Sequence, residues 1–329
     1  MAAPDGSRIV GARWLGALLQ PWAIHPDMLG PIAGVAARKL ADREATWAGG
    51  PYQPRPVAMK GQKVAILPID GVLAPRANMM TEFSGGTSLD QASQSLARLV
   101  ADPAIGTIVL DINSPGGSVS GVTTFARQVL AARVDKRIVA QVDDIATSAA
   151  YWIAACAHEI VAVIDGTLGS IGVYSIHENL AKALEQEGIA VTYISAGKYK
   201  VEGNKTGPLS EEAYAHRQAL VDEAYGRFVT DVARGRGVTE AAVRNGYGEG
   251  RVVSAEMGKS LGMIDGIATL DETLDRLTAG GTQPVELAAE ARVDTPQDPA
   301  SARDTGQDPR ADDRRFLREL EVALRKQAC

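Results

Sequence analysis

The chain has 329 residues, enough to bury an extended apolar core in one large or two small domains. Apolar residues make up 45% of it and charged residues 22%, as in ordinary globular proteins, and the net charge of −6 argues against a nucleic-acid-binding protein. Its two cysteines, Cys156 and Cys329, provide neither a disulfide framework nor a metal-ligand set, so we expect a reducing compartment.

The first 60 residues differ from the rest of the chain. The spacing of apolar residues predicts two short helices, at about 8–19 and 27–46, and the Gly/Pro-rich stretch 49–56 follows them as a linker. No apolar run approaches the ~20 residues that a membrane-spanning helix needs, and Pro21 ends the short patch 14–19, so we expect neither a membrane span nor a signal peptide. Residues 1–60 are therefore predicted to be a helical appendage.

From residue 61 to residue 278 the pattern alternates between strands and helices. The predicted strands cover residues 64–70, 107–112, 138–142, 159–164 and 190–195. The predicted helices cover residues 89–101, 119–133, 148–157, 177–187, 210–235, 239–245, 254–261 and 268–278. This alternation is typical of parallel βαβ units, so the sequence predicts one α/β domain over residues 61–278.

The composition changes again beyond residue 278. Residues 279–312 are rich in Ala, Asp, Pro, Thr and Gln and poor in large apolar side chains, which predicts a disordered linker. Residues 313–329 regain a helical stripe that includes Phe316, Leu320 and Leu324, so we expect a short amphipathic helix. A helix of that length is not stable alone in water, and we expect it to dock on another surface.

Two segments lie where a predicted strand gives way to a helix, the place at which sites gather in parallel sheets. Residues 113–118 (Asn-Ser-Pro-Gly-Gly-Ser) offer glycine N–H groups that could hold an oxyanion. Residues 144–151 place Ser148 at or near a helix N-cap, where its hydroxyl could attack a carbonyl and the N–H of Ala149 could help to stabilise the oxyanion. Each segment also fits a structural role, as a plain turn or as a capping serine.

The candidates for a general base are a lysine and a histidine. Lys200 lies in Gly-Lys-Tyr-Lys (197–200) and can serve as a base only if burial lowers its pKa, since otherwise it is a solvated charge. Among the four histidines, His177 alone has a route to Ser148 in the predicted topology, because the others fall in the appendage, in a surface loop or on an exposed helix face.

Five segments together resemble the peptidases of family S49, which include signal peptide peptidase A and the phage capsid-assembly proteases of the minor capsid protein C type. In chain order they are GGTS (85–88), TIVLDINSPGGSV (107–119), ATSAAYWIAACAHEIVA (146–162), TLGSIGV (167–173) and SAGKYKVEGN (195–204). The resemblance covers about residues 62–275. It implies a ClpP/crotonase-like spiral of βαβ units that cleaves peptide bonds with a Ser/Lys dyad.

Motif by motif, the resemblance implies a role for five residues. Ser148 would be the nucleophile and Lys200 the general base, and the N–H groups of Gly117 and Ala149 would form the oxyanion hole. Ser170, in Gly-Ser-Ile-Gly-Val, would orient the lysine. The two glycines that follow the serine in the family are alanines here, a change that leaves the backbone N–H accessible. The related Clp proteases place a histidine in the region that reads LGSIGVYS (168–175) here, which favours the dyad over a triad.

The resemblance also bears on partners and biological role. It implies protein or peptide substrates, no metal or cofactor, and a homo-oligomeric ring in which the lysine comes from the same chain or from a neighbour. A helical appendage and an acidic tail in place of a membrane anchor favour a phage or prophage head-maturation protease that acts on capsid or portal proteins in the host cytoplasm or the prohead. The alternatives are a host cytoplasmic peptidase that degrades signal-peptide remnants, a crotonase-type acyl-CoA enzyme and a non-catalytic capsid scaffold protein.

Overall fold

A computed structural model describes residues 22–24, 55–58, 63–77 and 86–280 of the chain. The helices expected at 8–19 and 27–46 and the helix expected at 313–329 lie outside these residues. The stretch 279–312 also lies outside them, apart from its first two residues.

Twelve strands form two sheets within the described residues. In chain order they are β1 (Trp22–Ile24), β2 (Arg55–Ala58), β3 (Lys63–Asp70), β4 (Leu73–Ala74), β5 (Thr87–Ser88), β6 (Ile105–Ser114), β7 (Gly116–Ser118), β8 (Arg137–Thr147), β9 (Glu159–Ala162), β10 (Thr167–Gly169), β11 (Val252–Ser254) and β12 (Gly266–Ile267). Strands β1, β7, β4 and β5 form a four-stranded sheet in that order, and the other eight form the second sheet.

The eight-stranded sheet has a parallel centre. Strands β3, β6 and β8 are parallel neighbours, and β2 pairs antiparallel with β3 at one edge. Strand β8 then divides, because its middle pairs with β9 and its last residues pair with β10. Beyond these, β12 pairs with β9 and β11 pairs antiparallel with β10. Parallel strands joined through helices confirm the predicted α/β fold of βαβ units.

The helices of the described residues match the pattern expected from the sequence. They are α1 (Leu89–Ala101), α2 (Val122–Ala132), α3 (Ala149–Ala154), α4 (Ala181–Gln186), α5 (Glu211–Arg236), α6 (Glu240–Gly246), α7 (Ala255–Ser260) and α8 (Leu270–Thr278). Several begin at a capping side chain, as where Ser210 accepts a hydrogen bond from the N–H of Ala213. None of these helices combines the length and the apolar character that a bilayer-spanning helix needs.

The central sheet is buried on both faces, which accounts for the almost continuous apolar runs of its strands. Successive side chains of a strand alternate between its faces. In β3, Ala65, Leu67 and Ile69 belong to the larger core, which also contains residues of α1, α2, α3 and α5, whereas Val64 and Ile66 belong to a smaller core with Leu277 of α8. The larger core is the one that surrounds the start of α3.

Two differences from the sequence-based predictions concern strands. The strand predicted at 190–195 is wrong: those residues form no strand, and every residue from 185 to 200 is exposed. Strands β1 and β2 were not predicted, yet they lie within residues 1–60 and pair with β7 and β3. Their partners are distant in the chain, so local periodicity holds no signal for the pairing.

Candidate functional site

Ser148 stands between the last residue of β8 and the first residue of α3. Only 1% of it is exposed, and its backbone has φ 56° and ψ −120°, a conformation that residues with a Cβ rarely adopt. Its N–H donates to the Gly169 carbonyl at 2.7 Å. Its hydroxyl makes no capping hydrogen bond and lies 3.5 Å from the Gly172 carbonyl, so Ser148 is not an ordinary helix-capping serine.

Helix α3 is held rigidly behind Ser148. The N–H of Trp152 donates to the Ser148 carbonyl at 3.0 Å, and the indole stacks on Phe228 with ring centroids 4.5 Å apart. The indole Nε1 donates to the Asp231 carboxylate at 3.0 Å, and Arg127 pairs with the same carboxylate at 3.1 Å. Because Trp152, Phe228 and Asp231 are buried, α3 has little freedom to relax the backbone of Ser148.

The glycine turn of residues 116–117 packs against the start of α3. A Cβ on Gly116 would lie 2.9 Å from the Thr147 carbonyl oxygen and 3.0 Å from the Ala149 nitrogen, and Gly116 has φ 97°. A Cβ on Gly117 would lie 2.0 Å from the Leu73 carbonyl oxygen. Only glycine fits at either position. The structure thus brings Gly116, the residue before the expected donor Gly117, next to Ala149, which supplies the second expected oxyanion N–H.

Ser170 lies on the other side of Ser148. It directly follows Gly169, whose carbonyl accepts the hydrogen bond from the Ser148 N–H. Ser170 is 7% exposed and has φ 51°, and its own N–H donates to the Arg251 carbonyl at 2.8 Å. Ser170, a second serine with a positive φ, is therefore linked to Ser148 through Gly169 and its hydrogen bond.

Lys200 lies in a different environment. It ends an exposed turn in which its N–H donates to the Gly197 carbonyl at 3.1 Å. Within residues 22–24, 55–58, 63–77 and 86–280 its ammonium makes no hydrogen bond or ion pair, and so none to Ser148. Lys198 of the same turn, in contrast, lies 3.6 Å from the Glu212 carboxylate. The single chain assembles the serine side of the expected site but does not bring the lysine to it.

The histidine alternative gains no contact either. The Nε2–H of His177 donates to the Asn204 carbonyl at 2.9 Å, away from the serine. His177 instead lines a cavity of about 380 Å³ together with Tyr174, Tyr214 and Arg217. Val173, which also lines the cavity, directly follows Gly172, whose carbonyl lies close to Ser148, and burial raises the pKa of Tyr174. Over the described ranges, no three His, Cys, Asp or Glu side chains group as metal ligands would.

Asp231 is the site feature that the sequence-based predictions missed. It occupies the apolar face of α5, on which Ala224 and Phe228 are also buried. A carboxylate among the apolar residues of a helical stripe indicates a buried charge, and a buried charge needs polar or charged partners. The pattern alone could not show that the partner is the indole four residues beyond Ser148.

Residues 131–283 match the model of peptidase family S49. Over this segment the chain is similar to the peptidases of family S49. The matched segment contains Ser148, Ser170 and Lys200, whereas Gly117 precedes it.

Curated relatives of the chain include two phage proteins. It is 31% identical over 259 residues to the head-tail preconnector protein GP5 of Enterobacteria phage P21, covering 77% of the chain and 51% of that protein. It is 32% identical over 184 residues to the capsid assembly protease C of Escherichia phage lambda, covering 56% of the chain and 42% of that protein. The chain thus spans about half the length of these relatives.

Two solved structures also align with the chain. One is an enoyl-CoA hydratase from Shewanella pealeana, with 11% identity and a TM-score of 0.38, and the alignment covers 74% of the chain and 76% of that structure. The other is a membrane-bound stomatin-specific protease, with 12% identity and a TM-score of 0.38, and the alignment covers 65% of the chain and 82% of that structure.

Proposed function

We propose that the chain is a serine endopeptidase in which Ser148 is the nucleophile and Lys200 the general base. The observation that carries the proposal is the strained, enclosed backbone of Ser148 beside the Gly116–Gly117 turn and the N–H of Ala149, inside a segment that matches an S49 family model. A hydroxyl held next to backbone N–H donors is the arrangement that acyl transfer requires.

The proposed reaction has two stages. Neutral Lys200 takes the proton of Ser148, and the alkoxide attacks the carbonyl carbon of the scissile bond. The N–H groups of Gly117 and Ala149 stabilise the oxyanion, and the lysine returns the proton to the leaving amine. Water then hydrolyses the acyl-enzyme. Ser170 would hold the lysine amine by a hydrogen bond, and the reaction needs no metal or cofactor.

The exposed position of Lys200 adds a requirement to this mechanism. A lysine serves as a base only in surroundings that lower its pKa, and burial is the usual cause. The single chain does not bury Lys200. We therefore propose that the catalytic pair is completed in a homo-oligomeric ring, where contacts between copies enclose residues 185–200 and bring a lysine to each serine.

The relatives suggest the biological role. One is named a capsid assembly protease and another a head-tail preconnector protein, both from phages. We propose that this chain processes capsid, scaffold or portal proteins during phage or prophage head maturation, in the host cytoplasm or inside the prohead. Substrate side chains would occupy the cavity of about 380 Å³ that Val173 and His177 line.

The test compares purified wild type with Ser148→Ala, Lys200→Ala and Lys198→Ala, each incubated with casein and with the cognate capsid protein. Lys198 is the matched control, because it is an exposed lysine of the same turn. We expect the first two variants to lose cleavage by a factor on the order of 10⁴ or more, and Lys198→Ala to retain it.

Other outcomes would redirect the assignment. Cleavage that survives in Ser148→Ala would contradict the choice of nucleophile. If wild type cleaves casein but leaves the capsid protein intact, the peptidase stands and the phage role does not. If wild type cleaves neither protein yet still joins assembling capsids, the chain is a scaffold without catalysis.

A further inference from the structure

Strand β1 occupies the sheet edge that carries the expected oxyanion glycine. It pairs antiparallel with β7, and the register places Trp22 opposite Ser118, Ala23 opposite Gly117 and Ile24 opposite Gly116. Ala23 and Ile24 are 0% and 2% exposed. A short extended segment from the N-terminal part of the chain is thus enclosed beside Ser148, as a peptide bound by strand addition would be.

The carbonyl oxygen of Ala23 lies close to Gly116, which is also close to the start of α3. A Cβ on Gly116 would lie 2.2 Å from the Ala23 carbonyl oxygen and 3.0 Å from the Ala149 nitrogen. The carbonyl oxygen and the N–H that follows the nucleophile therefore lie against the same glycine. Gly117, the other expected donor, is the residue directly opposite Ala23. Ala23 places a peptide carbonyl beside both groups that would stabilise an oxyanion.

We propose that β1 is an intramolecular substrate and that the chain cleaves its own bond between Ala23 and Ile24. This inference rests on the proposed peptidase function. Ser148 Oγ bonds to the Ala23 carbonyl carbon, the bond from that carbon to the Ile24 nitrogen breaks, and the proton of the serine passes through the base to the Ile24 amine. Water then releases residues 1–23 with a new carboxylate and leaves a chain that begins at Ile24.

The surroundings of Ala23 also define which residue can precede the cut. Its methyl group is completely enclosed and belongs to the main apolar core, and its backbone is in close contact with Gly116. A side chain much larger than a methyl group has no room there without a backbone shift. The site is therefore selective for a small residue on the amino-terminal side of the cut, and an added substrate must displace β1 before it can bind.

The experiment follows the intact mass of the full chain over time after purification, for wild type, Ser148→Ala, Ala23→Gly and Ala23→Phe. Casein cleavage is measured in parallel for all four. We expect a product that begins at Ile24 in wild type and in Ala23→Gly, none in Ser148→Ala, and at least a hundredfold slower formation in Ala23→Phe. The circular dichroism spectrum and the urea midpoint of Ala23→Phe are compared with those of wild type, so that slower formation of the product is not attributed to loss of the fold.

A mixing experiment tests whether the cut is intramolecular. Wild type is incubated with a mass-tagged Ser148→Ala chain, whose own β1 lies beside an inert residue. We expect the tagged chain to stay uncut at Ala23 while wild type is processed. Rapid cutting of the tagged chain would overturn the intramolecular assignment.

The remaining outcomes separate this inference from the proposed function. If casein is cleaved while the Ala23–Ile24 bond stays intact, or if the chain is cut only at other bonds, the inference is wrong and the peptidase remains. If Ala23→Phe is cut as fast as wild type, the pairing of β1 with β7 does not determine that the bond after residue 23 is the one cleaved. If wild type cleaves neither casein nor itself, both proposals fail together.

Discussion

Ser148 and Lys200 belong to regions that differ in burial, since Ser148 lies in the core and Lys200 lies on the surface. Every residue from 149 to 157 is 0% exposed, and the helix they form is fixed by aromatic stacking and a buried carboxylate. Residues 185–200 are all exposed, and Ile194 is 99% exposed. The comparison shows that packing within the chain fixes the proposed nucleophile, Ser148, whereas it leaves the proposed base, Lys200, exposed.

Thiol labelling gives the largest expected contrast between the two regions. Burial, and secondarily Asp231, raises the pKa of Cys156 to about 12. At pH 8 a pKa near 12 leaves roughly one thiol in 10⁴ ionised, and only the thiolate reacts. In a Cys329→Ser background we expect Cys156 to react at least ~10³-fold more slowly with a thiol reagent than a cysteine introduced by Ile194→Cys. Similar rates would mean that the core around α3 opens freely.

Trp152→Ala should produce the largest loss of stability. It removes an indole that is completely buried and stacked on Phe228, and core Trp-to-Ala substitutions cost about 3–5 kcal/mol. Tyr199→Ala is the matched control in the exposed region, because half of that ring is exposed and its removal should cost under about 0.5 kcal/mol. Urea denaturation of both variants measures the difference. Equal losses would show that the buried indole stabilises the chain no more than an exposed ring does.

Asp231→Ala should have an intermediate effect. It leaves the Trp152 Nε1–H buried without its acceptor, at a cost of about 1–3 kcal/mol in the free energy of unfolding. Asp231→Asn keeps an oxygen for that hydrogen bond and loses only the ion pair with Arg127, whose side chain is 52% exposed. We expect the asparagine variant to unfold at a urea concentration closer to that of wild type. The opposite order would assign the main role to the ion pair.

Much of this architecture can be read from the sequence, because its signals are local. The eight helices follow from apolar spacing and from caps such as Ser210, and the strands around β3, β6 and β8 follow from runs buried on both faces. The motif resemblance also placed Ser148 next to the glycine turn. The pairing of β1 and the link from Asp231 to Trp152 join residues far apart in the chain, so no periodicity reveals them.

The strand wrongly predicted at 190–195 has a physical cause. Its alternation of Val191 and Tyr193 with smaller side chains is typical of a strand with one buried face. The described part of the chain offers no strand to pair with it and no core to cover it. The pattern therefore indicates a surface that another molecule would cover rather than an element of the single chain.

Ile194→Ser tests this interpretation and should have the smallest effect on stability. Because the side chain is 99% exposed, we expect a change within about 0.5 kcal/mol in the unfolding free energy of the single chain. We expect the ring to dissociate, as measured by light scattering, and peptidase activity to fall with it. Val134→Ser, at a residue 88% exposed in another turn, is the control and should leave assembly intact. Unchanged assembly in Ile194→Ser would exclude this residue from the interface.

The backbone of Ser148 has a consequence for the evolution of such chains. Its φ of 56° is a conformation that glycine adopts without penalty, whereas a serine there costs on the order of 1–3 kcal/mol. A lineage that kept the fold for assembly and gave up hydrolysis would gain stability by a single change to glycine at this position. Under the proposed function, retention of the serine is a cost that selection for catalysis sustains, and a relative with glycine there would be a former enzyme.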